Sequence, residues 1–293
     1  MGNNICAIIV SYNCDEEILS CIDGIKDQVS CIVVVDNGSN SDAKVILKKI
    51  EDEGIKVIYN TNNMGIANAL NQGVRYAESK EFNWVITLDQ DSIATKDMVK
   101  NMLEVYDDLS DGMKKVVFSI VPEHVEQKVF EGAQAQVGKS EIKSNEVLTD
   151  ITSGNLLKTD IFHKIGYYNE VMFIDCIDHE FCMRLCKSGY KMIKVYNAIL
   201  LHNLGEVRIK KVLSKTMYST NHSAVRRYYI TRNRHYIWNL YGSDFTDWVK
   251  NDKKAAFMDF IKIIFFEKDK LSKVKMVIKG HLDCKKGRFG ELK

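Results

Sequence analysis

Three short stretches gather acidic residues next to apolar ones: Val33-Val34-Val35-Asp36-Asn37-Gly38-Ser39, Leu88-Asp89-Gln90-Asp91, and Asp175-Cys176-Ile177-Asp178-His179-Glu180. Each places carboxylates at the end of an apolar run or just beyond it, where an open α/β sheet assembles its ligand site. In extended backbone, residues i and i+2 point to the same side, so the Asp89 and Asp91 carboxylates converge beyond their strand. Two anions held that close repel unless a cation sits between them or one takes up a proton. Mg²⁺ or Mn²⁺ suits such a pair, because these hard ions keep several waters and bind through one or two carboxylates plus substrate phosphates. The alternative is a solvated acidic loop capping a helix that starts near Thr95.

The turn after the first apolar run reads Ser11-Tyr12-Asn13-Cys14-Asp15 and holds no glycine. That excludes the Gly-rich turns with which dinucleotide folds and P-loops bring backbone against phosphate, so a diphosphate would need another device, such as a metal. Tyr12 either packs at the strand end or offers a flat face for a base. Asp36 either caps a tight turn with Asn37, Gly38 and Ser39, or accepts a hydrogen bond from a base imide or a ribose hydroxyl. His179, Cys182 and Cys186 fall on one helical face with Cys176 nearby. This spacing could bind zinc, but it equally fits a buried face, and no distant CxxC or HxxxH completes a site.

The elements that must position these groups alternate. Ile5 to Val10 and Cys31 to Val35 read as strands covered on both faces. Glu16–Asp27, Ala43–Glu53 and Ile66–Glu78 read as helices, and Lys56–Tyr59 and Trp84–Leu88 as further strands. This series predicts a right-handed, mostly parallel sheet with helices on both faces. Residues 93 to 109 read as another helix and Lys115 to Val121 as a strand. From Pro122 to Asp150 the pattern weakens into an excursion, and it resumes with helix Asp178–Ser188 and strand Lys191–Tyr196. Beyond about residue 215 the chain is basic and reads as helical.

The 293 residues are 45% hydrophobic with 17 Gly and 1 Pro, enough for a sizeable core. A formal net charge of +2 demands no nucleic-acid partner. The eight cysteines are scattered, form no CxxC pair and follow no leader-like segment, which predicts reduced thiols in a cytoplasmic protein. The longest apolar stretch, Ala255 to Phe266, is interrupted by Asp259 and Lys262, so no membrane span is expected.

VSYN after the first strand, VVVDNGS at the second, NNMGIANALNQG before the fourth, LDQD after it, and the acidic cluster running into Phe181-Cys182-Met183-Arg184-Leu185 together resemble family 2 of the inverting glycosyltransferases over about residues 5 to 205. Leu201-His202-Asn203-Leu204-Gly205-Glu206 and Tyr228-Tyr229-Ile230-Thr231-Arg232-Asn233 resemble its rhamnosyltransferase branch, which serves bacterial surface-polysaccharide assembly. The resemblance implies a GT-A fold, Rossmann-like, over residues 1–215, with 216–293 as a basic, amphipathic helical extension. It implies transfer of a sugar, L-rhamnose from dTDP-L-rhamnose, to a glycan or lipid-linked glycan acceptor. The alternatives are a UDP-sugar donor (galactose, galactofuranose or N-acetylglucosamine) and a non-catalytic subunit that only binds a sugar nucleotide.

By the same resemblance, Ser11, Tyr12, Asn13, Asp36, Asn63, Gly65, Asn68 and Asp89 hold the nucleotide sugar, while Asp91 and His202 hold Mg²⁺ or Mn²⁺ on the diphosphate. Inverting transfer needs one carboxylate to take the acceptor proton. The motif alignment puts that role on Asp178, with Asp175 and Glu180 on the acceptor side or in support. In the C-terminal segment, Ala255 to Ile278 reads as amphipathic helix with Phe257, Phe260, Ile261, Ile264 and Phe265 on or near one face and many Lys around it. Such a segment can lie on the inner face of a membrane beside anionic lipid, cover the catalytic domain, or form a homodimer contact.

Overall fold

The computed structural model describes residues 4–127, 143–202, 208–212, 215–219 and 221–292. The chain forms two compact units. The first comprises Met1–Glu170 with Phe181–Asn203, and the second Val171–Glu180 with Leu204–Lys293.

The first unit is built on a sheet whose order is β3-β2-β1-β4-β8-β6-β9-β5, with β7 also paired to β9. Strands β1 (Ile5–Ser11), β2 (Cys31–Asp36), β3 (Lys56–Tyr59) and β4 (Trp84–Asp89) run parallel. They are joined by helices α1 (Glu17–Ile25), α2 (Ser41–Asp52) and α3 (Ile66–Ser79). The β1 sequence is apolar without alternation because both faces are covered, and Ile5, Ala7, Ile8 and Ile9 are all buried. Helix α3 lies so close to β1 that a Cβ on Gly73 would stand 2.3 Å from Ile8 Cγ2, so only glycine fits there. Asn40 caps α2, its side chain accepting from the Ala43 amide at 3.0 Å, which starts that helix at Ser41 rather than Ala43.

Beyond β4 the sheet turns mixed. The short β8 (Leu156–Lys158) is antiparallel to both β4 and β6 (Val117–Glu126), and β9 (Lys191–His202) runs parallel to β6. Three sequence expectations change here. Ile93 and Ala94 are not helical: they form β5, antiparallel to Leu201 and Leu200 of β9, and helix α4 begins only at Met98 and ends at Asp107. The stretch from Pro122 is not a loose excursion throughout, since β6 continues to Glu126 and β7 (Ser144–Val147) pairs with β9; residues 128–142 lie outside the described residues. The last strand extends six residues past Tyr196, to His202, because both β6 and β5 supply it with partners. Two short helices follow in chain order, α5 (Asp111–Lys114) and α6 (Ile161–Ile165), and then α7 (Ile177–Lys187).

In the second unit a hairpin of β10 (Arg208–Val212) and β11 (Lys215–Ser219) precedes three helices, α8 (Ala224–Tyr241), α9 (Thr246–Phe266) and α10 (Lys270–Lys285). Residues 215–219 are therefore strand rather than helix. The stretch Ala255–Ile278, read as amphipathic helix, is divided between α9 and α10. Glu267 leaves the helix in extended backbone and Asp269 is left-handed at φ 53°. The reason is the fully buried Glu267 carboxylate, which leaves the helical path and takes Arg227 and, at 2.9 Å, Lys273 as partners. None of the eight cysteines is in a disulfide. Among the described residues no helix is long and apolar enough to cross a membrane.

Candidate donor and metal site

The carboxyl ends of β1, β2 and β4 lie side by side, since Ser11 pairs with Asp36 and Val10 with Asp89. The loops leaving them are tied together by side chains. Asn13, left-handed at φ 49°, takes Ser39 Oγ on its amide at 2.8 Å, and its Oδ1 accepts from the Asn40 amide at 2.9 Å. Gln90 Oε1 accepts from the Tyr12 amide at 2.9 Å, which leaves the Tyr12 ring 47% exposed at the sheet edge. Asp36 is fully buried. Its Oδ1 accepts from the Ser39 amide at 3.1 Å, while its Oδ2 has no hydrogen-bond partner among the described residues. A buried, half-satisfied carboxylate is costly unless a ligand completes it.

Asn63, Gly65 and Asn68 stand at the entry to α3. Asn63 Oδ1 accepts from Asn37 Nδ2 at 3.0 Å and from the Gly65 amide at 2.9 Å. Gly65 has φ 85°. Gly38, at φ +80°, lies so close to the neighbouring loop that a Cβ there would be 2.3 Å from the Asn62 carbonyl carbon, so that turn accepts glycine alone. Asn68 Nδ2 donates to Glu170 at 2.9 Å and its Oδ1 accepts from Gln72 at 2.7 Å.

Asp89, Asp91 and His202 come together, with one ligand atom from each within 4.8 Å of the others. The β5–β9 pairing makes this happen: Ile93 sits opposite Leu201, which returns the acidic loop to the end of β9 where His202 projects. His202 Nδ1 is 4.0 Å from Asp91 Oδ1 and 3.2 Å from Ser92 Oγ. Two carboxylate oxygens and an imidazole suit a hard or borderline dication, so the residues present fit Mg²⁺ or Mn²⁺. Among the described residues this is the one group of three or more metal-capable side chains. The zinc arrangement around His179, Cys182 and Cys186 does not form: Cys182 is buried, with its thiol 3.7 Å from the Asp150 carbonyl and 3.9 Å from Met192 sulfur.

Behind the acids lies a scaffold that sequence reasoning did not single out. Ser153 Oγ accepts from the Asp89 amide at 3.0 Å and donates to Ser92 Oγ at 2.8 Å. The Ser153 carbonyl meets His124 Nε2 at 2.8 Å. Burial holds the His124 imidazole below its ordinary value, with Asp150 3.4 Å from its Nδ1. Thr87 anchors the same loop, its hydroxyl donating to the Thr152 carbonyl at 2.6 Å. The sequence signal for this support was the run Thr152-Ser153-Gly154-Asn155, small and polar between apolar neighbours.

The remaining acids belong to the second unit up to Glu180. Asp175, left-handed at φ 65°, is bound through Oδ1 to Arg226 Nε at 3.1 Å, and its side chain is 11% exposed. Burial pushes its carboxyl above the usual range against the pull of Arg226. Glu180 is 2% exposed and accepts from the Tyr241 hydroxyl at 2.9 Å. Asp178, in the first turn of α7, keeps 21% of its side chain exposed and, among the described residues, accepts only from the adjacent His179 amide, at 2.8 Å.

With that geometry in hand, the family model for glycosyl transferase family 2 matches residues 6–166, more than half of the 293 residues. The chain belongs to glycosyl transferase family 2. It is 30% identical over 246 residues to the dTDP-rhamnosyl transferase RfbF of Shigella flexneri, covering 80% of this chain and 79% of that one. In fold it is similar to GalNAc-T7 solved with UDP, GalNAc and Mn²⁺, at a TM-score of 0.58 and 12% identity over 86% of this chain; this chain covers half of that structure. It is similar also to S. aureus TarS 1-349 in complex with UDP-GlcNAc, at a TM-score of 0.51 and 15% identity, covering 96% of this chain and 72% of that one. These likenesses establish the GT-A architecture of the sheet with a helical C-terminal region.

Proposed function

We propose that this glycosyltransferase moves L-rhamnose from dTDP-L-rhamnose to a hydroxyl of a growing surface glycan, with inversion at the anomeric carbon. The observation that carries the donor is the 30% identity to a dTDP-rhamnosyl transferase along four fifths of the chain. Asp36 receives the base through its unpartnered Oδ2, Tyr12 stacks on that base, and Asn63, Gly65 and Asn68 line the ribose and diphosphate. Asp89 stands near the ribose. Asp91 and His202 hold Mg²⁺ or Mn²⁺, which when bound neutralises the charge developing on the departing diphosphate.

Asp178 is the base. The acceptor oxygen forms a bond to the anomeric carbon as the bond from that carbon to the phosphate oxygen breaks, the acceptor proton passes to the Asp178 carboxylate, and dTDP leaves. What supports Asp178 over its neighbours is exposure: Asp175 is buried with one oxygen on Arg226 and Glu180 is buried against Tyr241, while Asp178 stays partly open. A reduced-thiol, cytoplasmic protein that meets a lipid-linked acceptor at the inner membrane face fits thiols outside any disulfide and the Lys-rich helices.

The test is nucleotide release from a donor panel, dTDP-L-rhamnose against UDP-galactose, UDP-galactofuranose and UDP-N-acetylglucosamine, with Mn²⁺ and with excess EDTA. Turnover of dTDP-L-rhamnose that EDTA abolishes is expected. Preference for a UDP-sugar would move the donor assignment, and binding without hydrolysis or transfer would make the chain a sugar-nucleotide-binding subunit.

A further inference from the structure

The segment entering α7 is held in a conformation its own residues disfavour. Phe173, Asp175 and Cys176 have φ of 64°, 65° and 63°, three left-handed non-glycine residues within four positions. Side chains crowd the carbonyl in that region, and such backbone persists only where its surroundings impose it.

The surroundings are two side chains of α8. Arg232 and Asn233 are both fully buried. Asn233 Nδ2 lies 2.9, 2.8 and 2.8 Å from the carbonyl oxygens of Met172, Ile174 and Asp175. Arg232 Nη2 donates to the Met172 carbonyl at 2.8 Å and reaches that of Val171 at 3.3 Å, while Nη1 donates to the Gly290 carbonyl at 2.7 Å. Arg232 Nε donates to Asn233 Oδ1 at 3.0 Å, which turns the amide so that its NH₂ faces the segment. The rings of Tyr229 and Phe289 flank the guanidinium at 4.9 and 5.5 Å. Tyr229 also stacks on Phe173, at 5.3 Å and 18°. A buried amide whose NH₂ faces three carbonyls of this stretch, and a buried guanidinium that turns Nη2 onto two more contacts with it, act on its backbone path, and Asp178 follows two residues after its last left-handed position.

We propose that Arg232 and Asn233 are positioning residues, whose donors hold residues 171–176 in the left-handed path and so fix where the Asp178 carboxylate stands. The inference rests on the reading of Asp178 as base. It requires that kcat, not donor affinity, register the loss of the clamp, and that making the path easier for the backbone itself compensate for a missing donor.

The experiment combines donor kinetics, melting and amide hydrogen exchange on Asn233→Ala, Arg232→Lys, Cys176→Gly and the double variant Asn233→Ala with Cys176→Gly. Ile237→Ala, which removes packing from the same helix, serves as the control. Asn233→Ala is expected to lower kcat at least tenfold with donor KM within twofold, and to speed exchange selectively over 171–178. Arg232→Lys, which keeps the charge but loses the fork, should do the same more weakly, and it reads the clamp if Asn233→Ala is too unstable to purify. Because glycine adopts positive φ without strain, Cys176→Gly should restore at least threefold of the kcat lost in Asn233→Ala. Ile237→Ala should lower the melting temperature and leave kcat intact below it. The inference is overturned if kcat is unchanged in both clamp variants, if exchange rises along all of α8 rather than over 171–178, if glycine gives no rescue, or if Ile237→Ala costs as much kcat. The exchange measurement needs no substrate. A wild-type protein that turns over no sugar nucleotide would defeat the functional reading, while the clamp would still stand or fall on exchange.

Discussion

Asp89 ends a strand and Asp91 lies in the turn after it, whereas Asp175, Asp178 and Glu180 are spread over the entry to a helix, and the two sets show how differently acidic residues are used. In the first set the backbone path does the sorting. The turn after β4, closed by the Ser92 amide on the Asp89 carbonyl at 3.1 Å, and the return of the chain through β5 bring both acids close to His202. In the second set the neighbours do it. Arg226 occupies one acid, Tyr241 another, and the third is left partly open. A cluster of acids in a sequence is therefore one spatial group in the first case and three separate environments in the second.

The largest effect that would sharpen this contrast is at Asp178. Asp178→Asn keeps shape but cannot take a proton, so kcat should fall by about 10² to 10⁴-fold while donor KM holds. Glu180→Gln should be much milder, because its hydrogen bond to Tyr241 survives amidation in one orientation. A dead Glu180→Gln beside a working Asp178→Asn, read by steady-state kinetics, would show that exposure does not sort these acids.

For the first set, Asp91→Asn should cut turnover by about 10²-fold or more and raise the Mn²⁺ concentration needed for half-maximal rate, and His202→Ala should cost about 10 to 100-fold, the range for weakened metal support. If His202→Ala leaves the metal titration unchanged, the three side chains do not act as a group. Asp36→Ala should be smaller still and of another kind. Losing one buried hydrogen bond to the base, about 1–3 kcal/mol, should raise donor KM about tenfold and relax discrimination between pyrimidine and purine nucleotides, with kcat nearly unchanged.

The strands and helices of the parallel half were legible because two-sided burial writes continuous apolar runs and helices write a 3.6-residue period. β3 falls on Lys56–Tyr59 as read, and α3 differs by one residue. What escaped was set by partners distant in sequence. Ile93 and Ala94 look like the start of a helix until Leu200 and Leu201 arrive to pair with them, and nothing near Glu267 announces that Arg227 and Lys273 will pull it out of a helix. The acidic and histidine side chains of the candidate site were visible as residue types. The role of the serines behind them, Ser92 and Ser153, was not, because a serine in a loop carries no period and the small polar run around Ser153 does not say which groups it meets. The hydrogen bonding of Arg232 and Asn233 was likewise hidden inside a motif noted only as a resemblance.

The smallest expected effect concerns the occupied acid. Asp175 is held by Arg226, yet burial dominates and raises its carboxyl above the ordinary value. The folded protein therefore binds that proton more tightly than the unfolded chain, so this group favours folding below the unfolded carboxylate pKa of about 3.9, and the advantage is lost as pH rises through the raised folded value. At neutral pH the buried charge is a net cost. Asp175→Asn removes the charge and keeps an acceptor for Arg226, so its melting temperature at pH 7 should equal or exceed that of the wild type, and the difference should shrink as pH falls toward 4. Melting curves of both proteins between pH 4 and 7 decide it. A variant that loses more stability at pH 7 than at pH 4 would mean that the Arg226 pair outweighs burial, and that Asp175, like the acids after β4, is kept ionised by its partner.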